Sequence, residues 1–419
     1  MIFSQKLLDL SQTAETELFE IFKDIDRIEF ENTQRVMESF SNHKVADAMF
    51  DSTSGYGYDD RGRDTLDKIW ADVMGAEAAI VRHNIVSGTH ALAIGLFGLL
   101  RPGDIMFSIA GKPYDTLEEV IGIAGREGDG SLRDFGIDYM QVDLKDTGFD
   151  FESIEKGLRE NEGKVKIVFI QRSKGYLNRK TLTVEKIGEA VKFVKAISPE
   201  TYVVIDNCYG EFVETVEPTA VGADLIIGSL IKNPGGGMAE SGGYFAGSAK
   251  AVELVSYRLT SPGVGGEVGA TLGQNKNLYK GLFYAPHTVA QAIKTAHFAA
   301  YIFEALGFNV EPKWSERRSD IIQTVITENP DKLCAFCRGI QAGSPVNAFV
   351  APVPWAMPGY SDEVIMAAGA FTQGSSIELS ADGPLRAPYT AFFQGGLTFQ
   401  SGKIGILSAA QTMINEGLI

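Results

Sequence analysis

Short apolar runs that alternate with helical patterns constrain the fold of this chain more than any other feature of its sequence. Such runs occupy residues 78–82, 105–109, 139–142, 165–170, 202–205, 225–227 and 243–246. Helical patterns separate several of them, for example at 89–100 and 184–196. Strands that are apolar along most of their length are typical of a mainly parallel sheet with helices on both faces. The pattern therefore predicts an α/β fold.

The segments outside this region suggest further divisions of the chain. Residues 4–40 show helical periodicity, a glycine-rich stretch at 260–281 is predicted to be a loop, and a long helix is predicted at about 287–305. We expect an N-terminal helical arm (1–50), a large domain (51–285) and a smaller α+β C-terminal domain (286–419). At roughly 100–200 residues per domain, the length agrees with two or three domains.

Charge and hydropathy argue against nucleic-acid and membrane partners. The net charge of -16 disfavours general nucleic-acid binding, because an acidic surface repels phosphate backbones. The longest uncharged apolar stretch, residues 88–100, is too short to span a bilayer. The N-terminus carries acids where a signal peptide carries bases. We expect a cytoplasmic protein.

Three cysteines, Cys208, Cys334 and Cys337, are too few for a disulfide framework. Cys334 and Cys337 have the C-x-x-C spacing, but the second pair that a zinc site needs is absent from the sequence. We expect no metal and a structural role for the pair, with a thioredoxin-like motif as the alternative.

A lysine stands between an apolar strand and three glycines, where residues 228–237 read GSLIKNPGGG. Desolvation at the end of a buried strand lowers the pKa of a lysine and makes its amine nucleophilic, and the glycines let the backbone pass close to a bound ring. A solvated Lys232 in a glycine turn is the alternative. Ser229 and Lys232 also have the S-x-x-K spacing of serine acyl-transfer enzymes, but the companion motifs S-D-N and K-T-G are absent.

Polar residues at other strand ends extend this candidate site. Asp206 follows a strand at the sheet edge where open α/β folds bind ligands, so it either pairs with a protonated ring nitrogen or caps a turn. Ser87, Gly88 and Thr89 open a helix and form either a phosphate site or an ordinary cap. Tyr114 either stacks on a heteroaromatic ring or packs against a neighbouring element.

The glycine loop at residues 51–63 carries Tyr56, Tyr58 and Arg61. These side chains either bind an anion or belong to the surface. Neither G-x-G-x-x-G nor G-x-x-x-x-G-K-[ST] occurs in the chain, so we expect no dinucleotide or nucleoside-triphosphate loop.

In their order, these segments resemble the pyridoxal-phosphate (PLP) enzymes of the aspartate aminotransferase fold. Within the Cys/Met-metabolism group, they are most similar to the methionine gamma-lyase or cystathionine beta-lyase-like family, also called aluminium resistance proteins. The resemblance is carried by GYDDRGRDTL (57–66), SGTHA (87–91), GSLIKNPGGG (228–237) and DGPLRAPY (382–389).

This resemblance implies a PLP-dependent transferase fold and a carbon–sulfur lyase that acts on a sulfur amino acid by β- or γ-elimination. It also implies a homodimer or homotetramer with shared active sites. Two alternatives stay open, namely a PLP enzyme of another reaction type, such as an aldolase or aminotransferase, and a non-catalytic PLP-binding regulator.

The resemblance assigns a role to each candidate residue. Lys232 is expected to form the Schiff base with PLP, Asp206 to pair with the pyridine nitrogen and Tyr114 to stack on the ring. The expected phosphate ligands are Ser87, Gly88, Thr89 and Ser229, together with Tyr56 or Tyr58 and Arg61 from a neighbouring subunit.

Two places depart from the family pattern. Glu378 stands where relatives carry the arginine that binds the substrate carboxylate, so Arg386 becomes the candidate for that role. Residues 170–173 stand where relatives carry an Asn-Pro pair. We expect Arg172 and Ser173 to contact the ring hydroxyl or the substrate there.

Overall fold

The computed structural model describes residues 2–146, 148–177, 179–357 and 360–419. The helices are α1 (Gln5–Glu17), α2 (Phe19–Asn42), α3 (Arg61–Met74), α4 (Gly88–Leu99), α5 (Asp115–Ile121), α6 (Phe151–Glu160), α7 (Val184–Ile197), α8 (Ala249–Leu259), α9 (Asn275–Ala305), α10 (Pro330–Ala342) and α11 (Phe399–Asn415). The strands are β1 (Ala78–Arg82), β2 (Ile105–Ser108), β3 (Asp138–Gln141), β4 (Val165–Gln171), β5 (Tyr202–Asp206), β6 (Leu225–Ser229), β7 (Gly243–Gly247), β8 (Asn309–Glu311), β9 (Gln323–Ile326), β10 (Val364–Ala367), β11 (Ser380–Pro384) and β12 (Thr390–Gln394).

The chain forms two compact units, each with its own sheet and core. The first unit contains residues 1–33, 231–238 and 281–419, and the second contains residues 34–230 and 239–280. The predicted ranges 1–50, 51–285 and 286–419 divide the chain at other residues, and as domain boundaries they stay a prediction.

The second unit contains a seven-stranded sheet in the order β1-β7-β6-β5-β4-β2-β3. β7 pairs antiparallel with both of its neighbours, and the other neighbouring pairs run parallel. The central strands β4, β5 and β6 are almost entirely buried, which explains why they are apolar on both faces. Ser87, Asp150, Thr183 and Ser248 cap the helices α4, α6, α7 and α8 with their side chains.

The first unit contains an antiparallel five-stranded sheet in the order β10-β11-β12-β9-β8. Its core includes the buried side chains of Leu18, Phe298, Phe303 and Phe336. α10 and α11 approach closely at Gly339, where a Cβ would lie 2.4 Å from the Cα of Ala409. This unit matches the expected mixture of short strands and helices late in the chain.

The predicted strands are confirmed to within two residues at their ends, and so is the mainly parallel sheet. The predicted loop at 260–281 and the helix start at 287 are wrong, because α9 begins at Asn275 and contains Pro286. The predicted loop also included Gly281, which lies inside α9. Its Cβ would lie 2.5 Å from the carbonyl oxygen of Gly235, so a close backbone approach requires glycine there.

In the described ranges, no helix combines the length and the apolar character that crossing a membrane requires.

Candidate functional site

The ends of two neighbouring strands and the start of one helix meet in the second unit. Asp206 ends β5 and stands opposite Ile227 of β6, which ends two residues later at Ser229. A Cβ added to Gly88, the first residue of α4, would lie 3.5 Å from the Cβ of Ser229 and 3.7 Å from the Sγ of Cys208. The sequence-predicted residues Asp206, Ser229 and Gly88 therefore share one corner of the sheet edge.

The start of α4 has the chemistry of an anion site. The first backbone amides of a helix have no acceptor in a preceding turn and lie at the positive end of the helix dipole. The Oγ of Ser87 already accepts a hydrogen bond from the His90 amide at 3.0 Å, and the hydroxyls of Thr89 and Thr116 lie 2.7 Å apart. By contrast, the buried Oγ of Ser229 has no hydrogen-bond partner within the described parts of the chain. Since a buried hydroxyl without a partner is costly, this atom is available to bond to a polar ligand.

Asp206 is held by its backbone and by its carboxylate. Its Oδ1 accepts a hydrogen bond from the amide of Cys208 at 3.1 Å, and its carbonyl oxygen accepts one from the amide of Arg172 at 3.0 Å. The side chain is buried, with 7% of the residue exposed. A carboxylate fixed in this way at the sheet edge can accept a hydrogen bond from a protonated ring nitrogen.

Tyr114 lies directly before α5 and next to the residues that follow β4. Its amide donates to the Oε1 of Gln171 at 2.6 Å, and its ring centroid lies 5.7 Å from that of Tyr176. The Nε2 of Gln171 in turn donates to the carbonyl oxygen of Ser173 at 3.0 Å. The structure therefore brings Tyr114 and Ser173 to neighbouring loops, and ring stacking by Tyr114 stays a prediction.

Lys232 follows Ser229 by three residues and lies in the segment 231–238 of the first unit. It is half-buried, and its carbonyl oxygen accepts a hydrogen bond from the Gly235 amide at 3.3 Å. The glycines after it pack against α9. Gly236 has a φ of 56°, and its Cβ would lie 2.4 Å from the carbonyl oxygen of Gly281. The glycine run thus has a packing cause in its own unit, besides the expected approach to a bound ring.

Arg172 is buried among acidic side chains. Its Nη1 donates to the Oδ1 of Asn207 at 2.9 Å and lies 3.4 Å from the Oε2 of Glu217, while its Nη2 donates to the Oε1 of Glu214 at 2.9 Å. The side chain is 0% exposed. These contacts do not support the expected contact between Arg172 and the substrate, because both terminal nitrogens already bind groups of the protein.

The acids around Arg172 were missed by reasoning from the sequence. Glu211, Glu214 and Glu217 follow Asp206 within eleven residues, and all three are buried. Burial raises the pKa of Glu211 to about 8, so this carboxyl holds a proton at neutral pH. The available signal was three acids in seven residues between two strands that are apolar throughout.

Glu378, which departs from the family pattern, and Arg386, the candidate that replaces it, both have visible contacts in the first unit. Arg386 donates to the Oδ2 of Asp362 at 2.9 Å and is partly exposed. The buried carboxylate of Glu378 accepts hydrogen bonds from the amides of Phe371 and Thr372, at 2.6 Å and 2.9 Å. Glu378 thus holds a turn, which accounts for a glutamate at that position. Substrate binding by Arg386 stays a prediction.

Tyr56 and Tyr58 project from a loop that is firmly anchored. The two residues are 76% and 60% exposed, and their ring centroids lie 5.8 Å apart. The Nη1 of Arg63 donates to the carbonyl oxygens of Gly57 and Gly269, at 2.6 Å and 3.1 Å. Sequence reasoning missed Arg63, although it stands in the same motif as the exposed Arg61. Contact of this loop with a neighbouring subunit stays a prediction.

The cysteines are free thiols, and Cys334 and Cys337 lie on α10. Burial raises the pKa of both thiols, which makes them less reactive and agrees with a structural role. Within the described residues, no group of three or more His, Cys, Asp or Glu side chains is arranged to hold a metal ion.

Comparison with known proteins places almost the entire chain in one family. The sequence pattern of the Methionine gamma-lyase family matches residues 7–414. The chain belongs to this family. It is 53% identical to the uncharacterized protein YnbB of Bacillus subtilis (strain 168), with 98% of both chains covered. It is also 51% identical to a carbon-sulfur lyase involved in aluminium resistance from Clostridium novyi NT, whose crystal structure matches with a TM-score of 0.94 over 98% of this chain and 96% of the other.

A distant likeness extends the fold beyond the methionine gamma-lyase family. The PLP-dependent protein YhfS from Escherichia coli matches with a TM-score of 0.63 at 15% identity, over 93% of this chain and 97% of the other. At this identity the likeness concerns the fold alone. The prediction of a PLP-dependent transferase fold is thereby confirmed.

The residues of the second unit fit the chemical groups of PLP. The cofactor carries a phosphate, and the start of α4 beside the unpartnered Oγ of Ser229 offers donors for an anion. Its ring nitrogen needs a carboxylate when protonated, and Asp206 ends the neighbouring strand. Both groups are present at one corner of the sheet edge, so the donor set suits this cofactor.

Proposed function

We propose that this protein is a PLP-dependent carbon–sulfur lyase that acts on a sulfur amino acid. The observation that carries the proposal is the cluster of the α4 start, the unpartnered Ser229 hydroxyl and the Asp206 carboxylate. Membership of the methionine gamma-lyase family supports the same chemistry. Three free cysteines support a reducing compartment, the cytoplasm.

When bound, PLP supplies an electron sink for negative charge at the α carbon of an amino acid. In the second unit, the α4 amides with Ser87, Gly88, Thr89 and Ser229 would hold the phosphate. They would do so against a net charge of -16 on the whole chain. A local cluster of donors is therefore required, and the start of α4 provides it.

We assign three side chains to the ring and the substrate. Asp206 would accept a hydrogen bond from a protonated ring nitrogen and so favour its protonated form. Tyr114 would pack against the ring. The Nζ of Lys232 would hold the cofactor and would serve as the positioned base for the proton on the α carbon of the substrate.

The remaining assignments concern the substrate carboxylate and a second copy of the chain. Arg386 is the candidate for the substrate carboxylate, which would exchange its present contact with Asp362 for the substrate. The anchored loop with Tyr56, Tyr58 and Arg61 supplies phosphate ligands to a second copy of the chain. The protein then works as a homodimer or homotetramer.

A product assay tests the proposed reaction. The PLP-loaded protein is incubated separately with cystathionine, methionine, cysteine and threonine, and keto acids and thiols are measured. We expect a thiol and a keto acid from at least one sulfur amino acid, and the keto acid distinguishes β- from γ-elimination. Lys232→Ala is expected to release neither product, whereas the exposed Lys250→Ala variant keeps the wild-type rate. A PLP-loaded wild-type protein that forms neither product from any sulfur amino acid would contradict the proposal.

A further inference from the structure

Asn207, the residue directly after Asp206, belongs to a buried network of polar side chains. The Oδ1 of Asn207 accepts from the Nη1 of Arg172 at 2.9 Å, and its Nδ2 donates to the Oε2 of Glu217 at 3.0 Å. Arg172, Asn207 and Glu217 are almost completely buried. The proposed reaction uses none of these side chains directly, although they bury two opposite charges at a considerable desolvation cost.

The network holds the backbone that carries Asp206. The Arg172 amide donates to the Asp206 carbonyl oxygen at 3.0 Å, and the Asn207 amide donates to the Ile227 carbonyl oxygen at 3.0 Å. The next amide, that of Cys208, donates to the Oδ1 of Asp206 at 3.1 Å. The direction of the Asp206 carboxylate therefore depends on the placement of residues 206–208.

The turn after Asp206 requires such support. Tyr209 and Phe212 have φ values of 73° and 62°, in a backbone region that residues other than glycine seldom adopt. The Phe212 amide donates to the Oε1 of Glu217 at 2.8 Å. A Cβ at Gly210 would lie 2.5 Å from the Cδ, Nε and Nη1 of Arg172, so the turn packs directly on the guanidinium.

We propose that Arg172 is a positioning residue that, through Asn207, fixes the direction of the Asp206 carboxylate and thereby sets the affinity for PLP. The inference rests on the proposed function, in which Asp206 binds the ring nitrogen. In this proposal Arg172 does not make the contact with the substrate that is expected from the sequence, but acts on cofactor binding indirectly. The guanidinium acts on the cofactor only by holding the peptide that carries the carboxylate.

Two variants break this link, and a third serves as the matched control. Asn207→Ala removes the side-chain oxygen that accepts from the Nη1 of Arg172 but keeps the pairs of Arg172 with Glu214 and Glu217. Arg172→Lys keeps the charge but lacks the planar fork that binds several partners at once. Glu214→Gln weakens the same network away from Asn207. The Glu214 Oε1 accepts from the Val184 amide at 2.9 Å, at the start of α7.

The first measurement is the dissociation constant of PLP from each variant, together with the melting temperature of each cofactor-free protein. We expect Asn207→Ala and Arg172→Lys to weaken PLP binding about 10- to 100-fold, because a misplaced carboxylate loses most of its interaction. Glu214→Gln is expected to lower the melting temperature but to keep nearly wild-type affinity. Should Arg172→Lys fail to fold, Asn207→Ala decides the question alone.

The second measurement is the pH dependence of the visible absorbance of bound PLP. A ring nitrogen that no carboxylate faces holds its proton less well, so the spectrum of Asn207→Ala should change at a different pH from that of wild type. A change of stability alone would not move this midpoint.

Wild-type affinity and an unchanged spectrum in Asn207→Ala would overturn the positioning role and leave the proposed function intact. An equal loss of affinity in Glu214→Gln would also overturn it, since general loosening would then suffice as the cause. A wild-type protein that binds no PLP would instead refute the proposed function itself.

Discussion

Glu211 shows how burial changes the chemistry of a single carboxyl group. The residue is 0% exposed, and its Oε1 accepts a hydrogen bond from the hydroxyl of Tyr244 at 2.9 Å. Desolvation is the main cause that raises its pKa to about 8, and the neighbouring charge of Glu217 adds to it. The folded protein therefore keeps a proton on Glu211 at pH values where the unfolded chain has released it.

The stability of the protein is expected to fall as the pH rises from about 4.5 to about 8 because of Glu211. The contribution of this group is complete below the ordinary glutamate pKa and is lost as the pH passes the raised pKa, a difference on the order of a few kcal/mol. Urea denaturation across this range should show a shallower decline for Glu211→Gln than for wild type. Parallel pH profiles of the two proteins would contradict the assignment.

Ser229 allows a second test at the scale of one atom. The buried hydroxyl of Ser229 has no hydrogen-bond partner among the described residues. Burying such an unpaired hydroxyl lowers the stability of a protein by about 1–3 kcal/mol. The cofactor-free Ser229→Ala variant should therefore be at least as stable as the cofactor-free wild type. The same change should weaken PLP binding.

Ser108→Ala is the control for this test, since the Ser108 hydroxyl is equally buried and donates to the Gly111 carbonyl oxygen. It should lower the stability by about 1 kcal/mol. A clear loss of stability in cofactor-free Ser229→Ala would show that the hydroxyl has a partner in the protein itself.

Single residues at strand ends could be predicted from the sequence, whereas the buried acids could not. Asp206 and Ser229 stand directly at the ends of apolar strands, and a strand end fixes the position of its next side chain. The burial of Glu214 and Glu217 could not be predicted, because burial of an acid depends on a distant partner such as Arg172. Local patterns carry no information on that pairing.

At the scale of elements, two loops of the second unit lock together through hydrogen bonds and close backbone contacts. Asp60 accepts hydrogen bonds from the Arg63 amide at 2.9 Å and from the Thr271 hydroxyl at 2.8 Å. Burial alone would raise the pKa of Asp60, but these bonds outweigh it and lower the pKa. The Gly269 amide donates to the Tyr56 carbonyl oxygen at 2.9 Å. Tyr56 and Tyr58 are therefore exposed on a loop whose backbone is held in place by these hydrogen bonds.

Gly57 and Gly55 provide a matched pair for testing this contact. Both have positive φ, 61° and 64°, but a Cβ at Gly57 would lie 2.8 Å from the Ala270 backbone, while one at Gly55 meets nothing within 4 Å. Gly55→Ala should cost about 1 kcal/mol from its φ alone. Gly57→Ala should cost about 2–4 kcal/mol, because the loops must also separate.

Chemical denaturation of both variants measures the two costs. Equal losses of stability in Gly57→Ala and Gly55→Ala would show that the two loops do not press together at this point.

The buried strands could be predicted from local sequence, whereas the start of α9 depends on packing against residues that are distant in sequence. The buried strands follow from composition and length, and their ends agree with the sequence. The start of α9 does not follow, because the helix contains Gly281 and Pro286, two residue types that disfavour a helix. Gly281 is explained only by its contact with the Gly235 backbone, which lies almost fifty residues away in sequence.

At the scale of the whole molecule, the fold and the family follow from the ordered set of motifs. The family match covers residues 7–414, so it includes both compact units. A net charge of -16 would repel a free phosphate, which makes local donors at α4 necessary for the proposed cofactor. The division into units was beyond sequence reasoning, because the segment 231–238 leaves its sequence neighbours to join the unit of the C-terminal residues.

Covalent attachment of PLP to Lys232 is the central claim, and trapping it is the most direct test. The protein is loaded with PLP, reduced with borohydride, digested and analysed by mass spectrometry. The mass of the reduced cofactor should appear on the peptide that contains Lys232 and should be absent from Lys232→Ala. Cofactor mass on a different lysine, or no adduct in a wild-type protein that binds PLP, would contradict the account.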